Sequence, residues 1–353
     1  MAFLIVQDYS HLKNNIKGNE AELLDTINQR INSVLVQMNS FPRSAGNDIL
    51  FLSRLYCTRN IPSGEGQNSS EVERLKASFL EFLKQNTAYY YLSYINKEGE
   101  ELIRIRFNGS EYYNFPTDKL ENKEDEEYFK EAMKLLSGEV YVSRLDLNEE
   151  NGKIENRGTD DDPVYVPVIR YATPVFSDSE RKGVLVSHIY ADYFLEDIKR
   201  AQREGETVFL IDNNGNYLTN PDKEKEFAFM FDDKGYNFKK EYPEVGEEIL
   251  SNIDGKQIES EDSIFTVKYF YPTSTTFEVY EGSKKVFGQV PEKEYYWALV
   301  SISEKESINK INSALKKKYV FSSFVYGLII LTIAGLIFLL VLNGNHNGEE
   351  GKK

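Results

Sequence analysis

The chain has one cysteine, Cys57, and three histidines, His11, His188 and His346, among 353 residues. A single thiol excludes an internal disulfide framework and any multi-cysteine metal site. No histidine has a metal-ligand or triad partner at a useful spacing, and His188 in "VLVSHIY" reads as an ordinary strand residue. HExxH, P-loop, GxSxG and GxGxxG patterns are absent, and no cofactor is expected. Positive charge is scarce too: 42 Lys and Arg stand against 57 Asp and Glu, a net charge of −15. Such a field repels a polyanion, so nucleic acid is not a partner. The opening "MAFLIVQDYSHLK" has no cationic n-region or cleavage site and does not read as a signal peptide.

Long apolar runs are missing with one exception. "YVFSSFVYGLIILTIAGLIFLLVL", Tyr319 to Leu342, carries no charge. At about 1.5 Å per residue it reaches roughly 36 Å, enough to cross a hydrocarbon core of about 30 Å with some tilt. The pattern predicts a transmembrane helix, with the rest of the chain a water-soluble region anchored at its C-terminal end.

What is abundant is aromatic: 24 Tyr and 22 Phe, residues suited to sheet surfaces and pocket walls. Leu24, Ile27, Ile31, Val34 and Met38 step by three and four, an amphipathic helix that "FPRSAGN" at 41–47 should kink or break. "SEVERLKASFLEFLKQN" reads as a second helix with a serine cap. Then "AYYYLSYI" and "ELIRIRF" form a hairpin around "NKEGE", followed by a short helix at "DEEYFKEAMKLL" and three long strands. A second hairpin opens at "ETVFLI" and "YLTNP". The frames "YINKEGEEL" at 94–102 and "LIDNNGNYL" at 210–218 share Ile, Asn or Asp, Gly and Leu at matched positions. Each half therefore starts its sheet in the same way, and the order of elements favours a tandem α+β duplication over coincidence.

The segments "LSYINKEGEELIRIRF", "KLENKEDEEYFKEAMKL", "GEVYVSRLDLNEENGKIE", "PVIRYATPVF" and "KGVLVSHIYADYF" resemble, in this order, the double Cache (dCache) sensor domains of microbial sensor histidine kinases and related transmembrane receptors. The resemblance runs from about Leu24 to the membrane and is strongest over 90–200. It implies an α+β fold with a helical stalk at 1–86 packing on both sheets and a membrane-distal PAS-like domain at 87–204. A membrane-proximal PAS-like domain at 205–303, a juxtamembrane helix at 304–318, the transmembrane helix at 319–342 and a polar tail at 343–353 follow. It also implies a sensing role rather than catalysis, a soluble region outside the cytoplasm, and a homodimer through the N-terminal helix. The lysines at 316–318 would by the positive-inside rule place that side in the cytoplasm, and the family comparison outweighs them. The rival reading is a tail-anchored scaffold with no ligand.

Site candidates combine residue type and strand period with the side of the sheet on which, by the resemblance, the family holds its ligand. Leu102, Arg104 and Arg106 share one face of "ELIRIRF", and the apolar face of Ile103, Ile105 and Phe107 should pack on the long helix. The arginines either meet a small-molecule ligand, anionic in that case, or are solvated or salt-bridged. Arg170 in "VIRYATPVF" either joins the pocket or pairs with an acid. Tyr128 and Phe129 are candidate pocket aromatics. Asp146 and Asn148 in "RLDLNEENG" either face the pocket or make a structural turn. The loop fails as an EF-hand, because Asn151 and Arg157 stand where Gly and Glu are required. Amino-acid-binding dCache members carry an arginine two residues before an aromatic pair. Here that position is Glu126, which argues against a free amino acid bound by that route.

Overall fold

The computed structural model describes residues 2–61, 69–108, 110–150, 152–231, 235–251, 257–272, 277–281, 284–288 and 295–310, and a few helical positions beyond. By contacts the chain divides into two units. One, Gln29–Ser260 with Ile264–Ile302, carries both main sheets. The other comprises Met1–Asn28, Glu261–Ser263 and Ser303–Lys353.

Helix α1 spans Ala2–Ser53 and contains Pro42. The expected break at 41–47 does not occur. Proline withholds one N–H but its fixed φ is compatible with a helix, and burial offsets the lost bond. Pro42, Ala45, Ile49 and Leu50 are buried, and Phe41 packs on Phe194 with ring centroids 5.5 Å apart. Half-buried polar contacts tie α1 to both sheets: Tyr89 donates to Asp48 at 2.6 Å, and Arg30 pairs with Glu206. Helix α2 is Tyr56–Arg59 and α3 is Ser70–Gln85. Ser69 caps α3 by accepting from the Val72 N–H. Val72, Leu75, Phe79 and Leu83 are fully buried on its inner face, each contributing about 1.5–3 kcal/mol. The main helical contact of the second strand is this helix, not the long one that the pattern anticipates.

The first sheet comprises β1 (Tyr89–Asn96), β2 (Glu101–Phe107), β3 (Tyr112–Asn114), β4 (Tyr141–Val142), β5 (Asp146–Leu147), β8 (Pro167–Ser177) and β9 (Glu180–Tyr190), and the hairpin β6 (Glu149–Glu150) and β7 (Lys153–Ile154) stands apart. Its order is β3-β2-β1-β9-β8-β4, with β5 also on β8. Helix α4 (Glu127–Ala132) lies on β8 and β4, and α5 (Asp192–Ala201) leads out. The second sheet orders β11 (Tyr217–Thr219), β10 (Glu206–Asp212), β16 (Trp297–Glu304), β13 (Ser263–Phe270) and β12 (Gln257–Glu259). Helices α6 (Phe238–Glu241) and α7 (Pro243–Ser251) lie between β11 and β12 in the chain, and β14 (Phe277–Glu281) and β15 (Lys284–Gly288) form a separate hairpin. In both sheets the opening hairpin lies at one side, the last strand beside the first, and the penultimate strand beyond it.

The twin frames form the same turn. Asn96 Oδ1 accepts from the N–H groups of Glu98 and Glu100, and Asp212 Oδ1 from those of Asn214 and Asn216. Gly99 (φ 86°) and Gly215 (φ 82°) occupy the left-handed position that each turn needs. In both, the returning chain crosses the turn and bonds the glycine carbonyl: Lys123 N–H to Gly99 at 2.6 Å, and Phe238 N–H to Gly215 at 2.8 Å.

Residues 305–310 are helical, as are 313, 317, 320, 321, 324, 332 and 335. The expected membrane span at 319–342 otherwise lies outside the described residues. Among the described residues no helix is long and apolar enough to cross a membrane.

Candidate ligand-binding site

Neighbouring strands place a polar row on one face of the first sheet. Tyr91 on β1 pairs with His188 on β9, and His188 with Arg170 on β8. Farther along the same face come Ile95, Val184, Val186 and Ala172, which α4 covers with Phe129 and Ala132. Over the polar row the covering chain stands off and leaves a cavity of about 440 Å³. Its walls come from 121–128 and from 141–152, including Glu121, Lys123, Tyr128, Arg144 and Asp146.

Of the seven candidates, Tyr128, Asp146 and Arg170 line this cavity. Arg170 donates to Asp146 at 2.6 Å, with side-chain exposures of 11% and 31%. Burial works against the guanidinium charge, yet Asp146 and the surrounding tyrosines hold its pKa above the ordinary value. Burial also pushes the Asp146 carboxyl upward, opposed by Arg170. Both side chains keep hydrogen-bonding capacity beyond their mutual bond.

The other four lie around the cavity. Arg104 is buried, paired with Glu101 at 2.6 Å and stacked over Tyr91 and Phe115 at 5.5 and 4.8 Å. It supports the wall, because Glu101 also receives the Ser93 hydroxyl and Arg104 reaches Glu121 at 3.5 Å. Arg106, two residues further along the same strand, donates to Glu150 at 3.1 Å and to the Tyr90 hydroxyl at 3.2 Å. Phe129 turns into the apolar half of the face, about 100° around α4 from Tyr128. Asn148 is fully buried and gives its amide to Glu155 at 2.9 Å.

His188 is the residue that sequence reasoning passed over. It is 2% exposed, and neither ring nitrogen has a hydrogen-bond partner among the described residues. Tyr91 stacks on it at 3.8 Å and Tyr128 meets it edge-on at 5.6 Å. Burial, then the charges of Arg170, Arg104 and Lys123, push its pKa well below the usual imidazole range. The cavity floor thus presents a neutral imidazole beside an ion pair. Lys123 adds a nearly buried ammonium, bonded to Glu121 at 2.5 Å.

The second sheet is closed at the corresponding place. Phe238, which makes the bond equivalent to that of Lys123, is fully buried among Phe209, Tyr217, Val245 and Ile249. An aromatic ring fills the space that a lysine borders in the first sheet. Among the described residues no group of three or more His, Cys, Asp or Glu is placed to hold a metal ion.

Residues 63–276 match the family described as bacterial histidine kinase, sensor domain. No curated protein matches the chain. Among solved structures, the chain is similar to the extracellular domain of a protein described as a histidine kinase, vpHK1S-Z8. That match has TM-score 0.64 and 15% identity over 84% of this chain and 95% of the other. A domain described as that of a sensory box/GGDEF family protein from Vibrio parahaemolyticus has TM-score 0.59 and 15% identity, over 84% and 99%. The ligand-binding domain of Campylobacter jejuni chemoreceptor Tlp3, in complex with L-norvaline, has TM-score 0.52 and 12% identity, over 82% and 94%.

Proposed function

Because the chain belongs to the bacterial histidine kinase sensor-domain family, we propose that it is the ligand-sensing input region of a membrane-bound receptor. A small molecule binds in the cavity of the first sheet, the membrane-distal one, and the second sheet relays the event toward the membrane. The observation that carries this reading is the cavity floor, where buried polar groups keep unspent hydrogen-bonding capacity. Buried polar atoms without partners are costly, and a polar ligand satisfies them.

Charge balance narrows the ligand. Arg104, Arg106 and Lys123 are each paired with a carboxylate, so these three cations are already neutralised toward a simple anion. Arg170 and Asp146 present opposite charges side by side, which fits a zwitterion: carboxylate toward Arg170 and His188, ammonium toward Asp146. The L-norvaline bound by Tlp3 is of this charge type. Recognition through Arg170 needs no arginine at 126. The soluble region faces outward, α1 pairs two copies through Leu24–Met38, and these residues have a sensing role and no catalytic one. A scaffold without ligand has no use for such a floor.

Thermal shift of the full chain against the L-amino acids and short dicarboxylates tests this. At least one zwitterion raises the melting temperature, and Asp146→Asn or Arg170→Gln weakens that hit by about tenfold or more, the worth of a charge-assisted bond. A hit unaffected by both substitutions moves the site elsewhere, and a dicarboxylate hit alone rejects the zwitterion. Protease accessibility in intact cells tests the outward placement.

A further inference from the structure

The cavity wall at Ser143–Asn148 has two sides. Toward the first sheet, the Ser143 N–H donates to the Arg170 carbonyl at 2.9 Å and the Asn148 N–H to the Val166 carbonyl at 2.7 Å. Asp146 and Leu147 pair with β8, and the Asp146 side chain holds Arg170. The N–H groups of Leu145 and Leu147 point the other way, into residues that belong with the second sheet. Leu145 N–H donates to the Tyr295 hydroxyl at 3.2 Å, and Leu147 N–H to Met230 Sδ at 3.0 Å. The Arg144 guanidinium lies 5.6 Å from the Tyr295 ring centroid.

Tyr295 is 4% exposed and stands two residues before Trp297, the first residue of β16. Its ring meets Trp297 edge-on at 6.1 Å. Trp297 stacks on Phe194 of α5 at 5.5 Å and contacts Phe270 of β13 at 5.0 Å, and Phe194 contacts Phe41 of α1. The hydroxyl that anchors the cavity wall is therefore attached to the aromatic junction of α1, α5, β13 and β16.

We propose that Tyr295 is a positioning residue of the distal cavity, supplied by the second sheet: by anchoring Leu145 it sets Asp146 against Arg170, and any shift of that wall is read at the start of β16. The biological sense of this rests on the cavity being a ligand site, but the contact can be tested with no ligand. A buried backbone N–H must have an acceptor, so displacing residues 144–147 drags on the Tyr295 hydroxyl or leaves a donor orphaned.

The test is a double-mutant cycle on the full chain with Asp146→Asn and Tyr295→Phe, which preserve shape. Hydrogen exchange is read at Ala298–Ile302, and fluorescence from Trp297, the only tryptophan in the chain. Asp146→Asn alone changes exchange there by at least about threefold, within the coupling expected of residues in one network, and changes Trp297 emission. On the Tyr295→Phe background the same substitution has less than half that effect. A purely structural Tyr295 would lower stability without removing the dependence of β16 on Asp146. No response of β16 to Asp146→Asn, or an equal response on both backgrounds, overturns the proposal. If Asp146→Asn does not fold, Arg144→Met perturbs the same wall and is judged by the same outcomes. Absence of every zwitterion hit would sink the ligand reading while leaving this coupling measurable.

Discussion

Acid should weaken this protein through His188, and the size of the loss follows from its surroundings. The ring is 2% exposed, has no hydrogen-bond partner among the described residues and is faced by Arg170, Arg104 and Lys123. It stays neutral in the folded chain, while in the unfolded chain it titrates near its ordinary value of about 6.5. Below that pH the unfolded state binds one proton more than the folded state, so stability falls as pH falls. The slope is about 1.4 kcal/mol per pH unit, or about 2 kcal/mol between pH 6.5 and 5 while the folded ring remains neutral. Asp146 acts in the opposite sense, because its raised pKa makes the folded state the better proton binder as pH falls toward the carboxylate range. A comparison of the protein with His188→Phe cancels that contribution. His188→Phe keeps an aromatic ring between Tyr91 and Tyr128 but cannot take a proton. Urea unfolding followed by circular dichroism at about pH 7, 6 and 5 should show the stability difference shifting by about 2 kcal/mol in favour of His188→Phe as the pH falls. Parallel losses in both proteins would refute the account of a buried neutral imidazole.

Arg104→Met should cost about 3–5 kcal/mol in thermal unfolding, since it strands the buried Glu101 carboxylate, and adding Glu101→Leu should recover most of that; a near-neutral single substitution would contradict the pairing. Phe238→Ala should cost about 3–5 kcal/mol and open an apolar cavity in the second sheet, detectable as partial restabilisation by benzene. A loss below about 1 kcal/mol would mean that Phe238 does not plug that sheet. Gly99→Ala and Gly215→Ala each force a positive φ on alanine, at a cost of about 1 kcal/mol or more. Gly99→Ala should lose more, because its Cβ would meet the Glu124 Cβ at 2.5 Å, whereas at Gly215 the nearest atom is Asn237 Oδ1 at 3.0 Å. Equal losses in denaturant unfolding would count against the tight crossing at the first turn.

Much of the fold could be read because its signals are local. The serine cap and the three-and-four spacing of Val72, Leu75, Phe79 and Leu83 mark α3, and the Asn–Gly and Asp–Gly turn frames mark both opening hairpins. Strand period put Arg104 and Arg106 on one face, and Arg170 proved to be on that face as well. Of the kink or break expected at 41–47, the break does not occur, because a local preference is outweighed by burial of Pro42 and Ala45 and by the packing of half-buried Phe41 on Tyr171 and Phe194.

The candidate site divides along the same line. Residue type, alternation and the family resemblance together nominated Tyr128, Asp146 and Arg170, since motif, period and the chemistry of charge are properties of short segments. They could not say that Arg104 and Arg106 are already neutralised, because Glu101, Glu121 and Glu150 meet them only when strands and loops assemble. Nor could they place His188. The turn at Asp178–Ser179 would by simple hairpin register set Ser187 opposite Arg170. A bulge between Val175 and Phe176 shifts the pairing by one residue, and His188 takes that place instead. Register has a period of two, so a slip of one exchanges the faces of a strand. The sequence by itself determined which elements form and in what order. Only the tertiary structure decided which side chains face the cavity and which of their charges remain unspent.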